Sequence, residues 1–214
     1  MLKVWGRKTS INVQKVMWTV AELGLVHQRI DAGGQFGGLD TDEFGKLNPN
    51  RLVPVIDDNG FVLWESNAIV RYLAAVYGRE KLGSADERQR ALADQWMEWA
   101  NSTLYSDIIA TCFLGLIRTP AKDRNVAAIE KAAKRVGERL AILDAQLAGR
   151  SYILGDQLTA ADIGCGSLMY RYFTLDIPRP RLENVEAWYQ RLTERRAYQD
   201  HVMIDYQALK VPGA

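Results

Sequence analysis

The chain has 214 residues, 48% of them apolar, with 27 Lys plus Arg against 26 Asp plus Glu. That length and composition can bury a full core as one large domain or two small ones, and so even a charge balance gives no reason to expect nucleic acid or an anionic membrane surface as partner. No apolar run reaches the roughly 20 residues a spanning helix needs, and the start Met1-Leu2-Lys3-Val4-Trp5 lacks the basic-then-apolar plan of a signal peptide, so the expected compartment is the cytoplasm.

From the N-terminus, Leu2–Trp5 reads as a strand. A helix follows from about Ile11, with Val13, Val16, Met17, Val20 and Leu23 on one face and Gly24 as its stop, then a second strand over residues 26–30. Gly33, Gly34, Gly37 and Gly38 mark a loop, and residues 41–47 a short helical piece. Two apolar runs, 52–56 and 61–64, flank Asn59-Gly60, a hairpin signal, and lead into a helix over 66–77 with Ile69, Leu73 and Val76 on one side. The order is β-α-β-α-β-β-α. Residues 77–84 form a polar, glycine-punctuated connector, and beyond it every signal is helical. Leu92, Trp96, Trp99 and Thr103 begin an inward stripe, and Ile129, Ala133, Val136, Leu140, Leu143 and Leu147 keep a 4-3-4-3-4 spacing that predicts a long helix packed within the chain. Thr159 with Asp162 reads as a capping box, stapled by Leu158 and Ile163, so Asp162 is expected to be structural. Cys112 and Cys165, with only His27 and His201 for company, give neither zinc-ligand spacing nor a disulfide framework and read as core residues. The expected architecture is an α/β domain over residues 1–80 followed by an all-α helical bundle over 86–214.

Pro54 falls inside an apolar run, where a ladder donor is normally needed. Having no N–H, and expected in the cis form, it leaves the main chain of Val53 open to something other than a neighbouring strand, such as a peptide ligand. Two further segments carry polar groups at helix starts: Gly6-Arg7-Lys8-Thr9-Ser10-Ile11-Asn12 and Trp64-Glu65-Ser66-Asn67. Taken alone, Ser10 and Ser66 are N-caps and Glu65 is an exposed charge.

In their order and spacing, the βαβ-α-ββα half, the Val53-Pro54 entry, the Glu65-Ser66 turn into Ile69-Val70-Arg71-Tyr72-Leu73, the helical second half and the Thr159/Asp162 cap resemble the cytosolic glutathione transferases over nearly the whole chain. Among these the chain is similar to the bacterial, theta-like and nu-like members that use serine or asparagine. The resemblance implies a thioredoxin-like domain that binds glutathione as co-substrate, a helical domain contributing the pocket for a small, electrophilic, mostly apolar substrate, and a homodimer. It places Ser10 as the catalytic hydroxyl, Asn12 as a second donor and Thr9 in reserve. Val53 would pair its main chain with the cysteinyl residue while Pro54 holds that edge open. Ser66 would take the γ-glutamyl carboxylate with Glu65 assisting, since a hydroxyl and helix-end N–H groups suit a carboxylate, and a carboxylate suits an ammonium. Many members place Lys or Gln directly before Val-Pro to meet the glycyl carboxylate. Here Leu52 stands there and Arg51 one position earlier, and a one-residue shift on an extended chain reverses a side chain's direction. Arg51 on the ligand and Arg51 as a surface cation both stay open, with Gln35 and Asn48 as further candidates for the glycyl end. The segment carrying Tyr105, Ile108, Cys112, Phe113 and Leu116 lies in the electrophile region by resemblance and reads as plain core by periodicity. The absence of Tyr before Asn12 and of Cys before Cys112 points away from tyrosine- and cysteine-using classes.

The chemistry sets a requirement that these residues can meet. A cysteinyl thiol with pKa ~8.5 is only about 3% thiolate at pH 7, and the thiolate is the nucleophile. Lowering that pKa by about two units takes ~2.7 kcal/mol. A helix N-terminus supplies ~0.3–1 and at best ~2 kcal/mol, whereas a hydrogen bond to a charged group supplies ~1.5–3, so a positioned donor is needed beside the dipole. Conjugation is the expected reaction. Glutathione-dependent reduction of disulfides or peroxides, as in nu-like members, and a non-catalytic glutathione-fold binding protein are the alternatives.

Overall fold

The computed structural model describes residues 1–78 and 81–214. Arg79 and Glu80, in the expected connector and at its domain boundary, lie outside the described residues. The chain divides into two compact units, one of Met1–Arg90 with Arg196–Ile204, the other of Ala91–Arg195 with Asp205–Ala214.

The first unit carries β1 (Leu2–Trp5), α1 (Ile11–Leu23), β2 (His27–Ile30), α2 (Asp42–Leu47), β3 (Val55–Asp58), β4 (Phe61–Trp64) and α3 (Ser66–Tyr77) in the expected order. Their four strands form one sheet, β2-β1-β3-β4, with β1 and β2 parallel and the other pairs antiparallel. Gly24 ends α1 in the left-handed region at φ 66°, where a residue without Cβ incurs no steric penalty. Asn59 (φ 53°) and Gly60 (φ 96°) make the two-residue turn joining Asp58 to Phe61. Asp58, buried, accepts hydrogen bonds from the hydroxyls of Tyr72 (2.8 Å) and Tyr77 (2.6 Å), which ties the C-terminal half of α3 to the sheet.

In the first unit, some element boundaries and faces differ from expectation. The third strand starts at Val55 rather than residue 52, because Pro54 offers no donor and Arg51 turns the chain at φ 55°. The second strand starts at His27, leaving Val26 81% exposed. On α3 the buried apolar residues are Ile69, Val70, Leu73 and Ala74. Val76 lies about a quarter turn from the centre of that face and is 51% exposed.

Helix α1 is buried almost all round, and both α3 and the late helix α9 (Arg196–His201) pack against it. Trp18 meets Tyr198 of α9 edge-on, with ring centroids 4.8 Å apart.

In the second unit, α4 (Glu87–Trp99) continues through wider π turns, Ala100–Leu104 and Ser106–Phe113, into α5 (Leu114–Ile117). The whole helix, Glu87–Ile117, has the length and composition to cross a bilayer, but Met97, Leu104, Ile108 and Cys112 are fully buried in the helical packing, which accounts for its apolar content. Its inward stripe is Ala93, Trp96, Met97, Ala100 and Leu104, whereas Leu92, expected inside, is 41% exposed. The stripe on α6 (Val126–Leu147) is as predicted: Ile129, Ala133, Val136, Leu140, Leu143 and Leu147 are all buried. Asp107, buried, ties the π-turn segment to α6 by accepting from Arg135 (2.5 Å) and Arg139 (2.6 Å). Helix α7 (Ala160–Thr174) opens on the capping box. The fully buried Asp162 accepts from the N–H of Thr159 (2.8 Å) and of Ile153 (3.0 Å), and from the indole of Trp188 (3.0 Å) on α8 (Glu183–Thr193). A carboxylate so enclosed is a structural hub.

Candidate functional site

Three segments of the first unit converge. After β1 the chain makes a turn over residues 7–10, closed by Ser10 N–H donating to the Arg7 carbonyl (3.1 Å). Arg29 donates to the Gly6 carbonyl (2.8 Å) and Gln14 to the Lys8 carbonyl (3.0 Å), fixing that loop from outside and from α1. Gly6 sits at φ 147°, and a Cβ there would lie 2.3 Å from Val13 Cγ2 and 3.2 Å from Val53 Cβ. Only glycine lets the exit of β1, the first turn of α1 and Val53 approach so closely.

Ser10 occupies the N-cap of α1 with extended geometry (φ −79°, ψ 122°), yet its hydroxyl makes no cap bond. The plain capping role is therefore not realised, and the half-buried hydroxyl stays available at the positive end of the helix. Thr9, half-buried, is central in the turn beside it. Asn12 is turned to α3: its Oδ1 accepts from Ser66 Oγ (3.4 Å), which holds the carboxamide between two helix starts.

The Val53–Pro54 peptide is cis, and neither N–H nor C=O of the half-buried Val53 bonds to the main chain of the described residues. Glu65, exposed, has φ 73° and ψ 116°, a left-handed conformation that costs a non-glycine residue ~1–3 kcal/mol and persists where its surroundings over-determine it, commonly at functional sites. It places no side-chain cap on α3, so the first-turn N–H groups lack one. Ser66 and Asn67, both buried, open that helix.

Sequence reasoning missed the group beneath them. Lys15 on α1 is 4% exposed and donates to Asn67 Oδ1 (2.7 Å) and Ser66 Oγ (3.3 Å). A lysine among Val13, Val16 and Met17, on a helix that must be buried, was the available signal, because a buried ammonium requires oxygen partners.

Candidates for the glycyl end are placed unequally. Asn48 is 3% exposed and clamps its own loop, donating to the Leu52 carbonyl (2.9 Å) and accepting from Asn50 N–H (2.9 Å). Gln35 is exposed in a 3-10 turn. Arg51 donates through Nη1 to the carbonyls of Leu39 (3.0 Å) and Thr41 (2.9 Å). With Lys46 it borders an open groove of about 420 Å³. A smaller cavity of about 170 Å³ between α1 and α9 is lined by Lys8, Met17, Arg29 and His201 among others, and reaches none of Ser10, Val53 or Ser66.

In the second unit both cysteines are buried, and burial, with Asp107 nearby, pushes the Cys112 thiol up to about 11, the reverse of what a nucleophile needs. Ile108, Cys112 and Phe113 are core, while Tyr105 and Leu116 are half-exposed.

Residues 1–75 match the family model described as glutathione S-transferase, N-terminal domain, and residues 103–196 match the C-terminal domain. The chain belongs to the glutathione S-transferase family. It is 43% identical over 209 residues to glutathione S-transferase GstB of Escherichia coli, covering 95% of this chain and 99% of that one. Among solved structures it is similar to a theta class glutathione S-transferase of Xanthomonas axonopodis pv. citri with glutathione bound, at TM-score 0.89 and 44% identity, over 95% of this chain and 98% of that one. It also resembles the Bombyx mori glutathione transferase BmGSTD1, at TM-score 0.84 and 30% identity, over 97% and 95% of the two chains. The sheet and helix order of the first unit and the helical second unit are thus the two halves of the glutathione S-transferase fold.

Proposed function

We propose that this glutathione S-transferase binds reduced glutathione on residues 1–80 and activates its thiol for attack on a small, electrophilic, mostly apolar substrate received by residues 86–214. The observation that carries the reading is the Ser10 hydroxyl, at a helix N-cap but capping nothing. In this reading it donates to the cysteinyl sulfur as the thiol ionises, adding a charge-assisted bond to the α1 dipole. Asn12 serves as second donor and Thr9 shapes the turn. Val53 pairs its unbonded N–H and C=O with the cysteinyl main chain, an edge that Pro54 leaves open. Ser66 and the uncapped N–H groups of α3 receive the γ-glutamyl carboxylate, with Glu65 toward the ammonium. Arg51, with two of its five donors engaged, directs positive charge to the glycyl carboxylate.

Catalysis then consists of proximity plus thiolate stabilisation. The protein works as a homodimer in the cytoplasm; exposed Phe61 and Val62 on edge strand β4, and exposed Leu52 on the loop before β3, support an interface on the first unit. Retention on immobilised glutathione, followed by turnover with a chloro-nitroarene and with a hydroxyalkyl disulfide, tests the reading. Conjugation of the arene is the expected outcome. Turnover of the disulfide alone would make the protein a glutathione-dependent reductase, and retention without either reaction a binding protein.

A further inference from the structure

Resting on that reading, we propose that Lys15 is a positioning residue for glutathione: its buried ammonium holds Ser66 and the start of α3 ready for the γ-glutamyl α-carboxylate. Lys15 lies one helical turn beyond Ile11 on α1, and its Nζ crosses to α3, donating to Asn67 Oδ1 at 2.7 Å and Ser66 Oγ at 3.3 Å. At 4% exposure the charge is withdrawn from water, so its field at the helix start is screened far less than that of a surface lysine.

Two consequences follow from the bonding. A hydroxyl oxygen that accepts from an ammonium has its remaining hydrogen directed away from it, and here that O–H reaches only a long contact, 3.4 Å, to Asn12 Oδ1. An arriving carboxylate is a stronger acceptor than a carboxamide and takes the O–H over. The carboxylate then meets the Ser66 hydroxyl and the uncapped N–H groups of α3, with the Lys15 charge directly behind them. The two α3 acceptors, Ser66 Oγ and Asn67 Oδ1, are neutral oxygens, and the bonds to them orient the ammonium toward the helix start. Lys15 does not touch the reacting sulfur in this arrangement. Its effect belongs to one functional group of the ligand.

That specificity gives the test. Dissociation constants are measured by calorimetry for the full-length protein and for Lys15→Met, with three ligands: glutathione, glutaryl-cysteinylglycine (carboxylate kept, amine removed) and 4-aminobutyryl-cysteinylglycine (carboxylate removed, amine kept). Lys15→Met is expected to weaken glutathione and the glutaryl ligand about tenfold or more, the scale of one charge-assisted interaction, and to leave the aminobutyryl ligand within about twofold. Lys15→Arg restores most of the loss. Equal loss for all three ligands would show a merely structural lysine and overturn the proposal, as would no loss at all. Should Lys15→Met fail to fold, Asn67→Asp replaces it, because a carboxylate placed at the 2.7 Å contact neutralises the ammonium and should give the same ligand pattern. Wild-type protein that binds none of the three ligands removes the glutathione reading together with this one, whereas wild-type binding with no ligand-dependent effect of Lys15 removes only the role of Lys15.

Discussion

At the scale of single residues, the proposed chemistry turns on one hydroxyl that makes no cap bond and one missing Cβ. In the proposed reading, Ser10→Ala removes a donor that matters mainly once the sulfur is charged. Turnover should fall by roughly one to three decades while glutathione affinity stays nearly constant, as steady-state kinetics beside calorimetry will show; unchanged turnover would shift the role to Asn12 or Thr9. Gly6→Ala places a methyl 2.3 Å from Val13 Cγ2 at a φ that L-residues rarely adopt. That change should cost about 2 kcal/mol or more and push Val53 away, so chemical denaturation should show lost stability and the same variant should lose glutathione affinity. Both residues could be found in the sequence as a Gly and a Ser after a strand. Neither the absent cap bond nor the contact with Val53 could, since the first depends on how the turn at residues 6–10 folds and the second on where the loop at residues 48–54 returns.

At the scale of elements, two helices show how far position in the chain departs from position in the fold. Helix α7 is nucleated where the sequence says, at Thr159, and Asp162 gathers N–H donors from Thr159 and Ile153 and the indole of Trp188. Asp162→Ala should cost roughly 3 kcal/mol or more, because it strands several buried donors at once; a change below about 1 kcal/mol in urea unfolding would contradict the hub role. Helix α9 reads as a continuation of the helical half but packs on α1 in the first unit. There, burial lowers the pKa of His201 below its usual 6.5, opposed by Asp200 and aided by His27 and Arg29. With the folded value below the unfolded one, both states are neutral above about pH 6.5 and no stability is lost. As the pH falls below 6.5 the unfolded chain binds the proton first, so stability drops until the folded value is passed. His201→Gln should flatten the fall in thermal midpoint over that window, measured by circular dichroism between pH 5 and 7.5 on about ten buffers of equal ionic strength.

At the scale of the whole molecule, ligand and partner binding should be visible in stability and mass. Glutathione at about 100 times its dissociation constant adds ~2.7 kcal/mol to the folded state by mass action, so the thermal midpoint should rise by several degrees. A wild-type midpoint indifferent to glutathione would count against the binding site as a whole. Sedimentation should give twice the mass of one chain, and Phe61→Asp, which charges the exposed edge of β4 without entering the core, should shift it toward the single chain.

The sequence by itself determined the order of elements in the first unit, the helical nature of the second, the inward stripe of α6 and the cap of α7. These are set by local spacing: period two or 3.6 apolar repeats, Asn-Gly at a turn, Gly at a helix end, Thr with Asp at a start. The tertiary structure alone decided that Ser10 caps nothing, that Asn48 is consumed by its own loop, that α9 returns to α1, and that Lys15 lies under Ser66, 51 residues away. Each of these is a relation between segments distant in the chain. Local periodicity records which face of an element is buried but not what is buried against it, and the chemistry of a site is made of the second kind of fact.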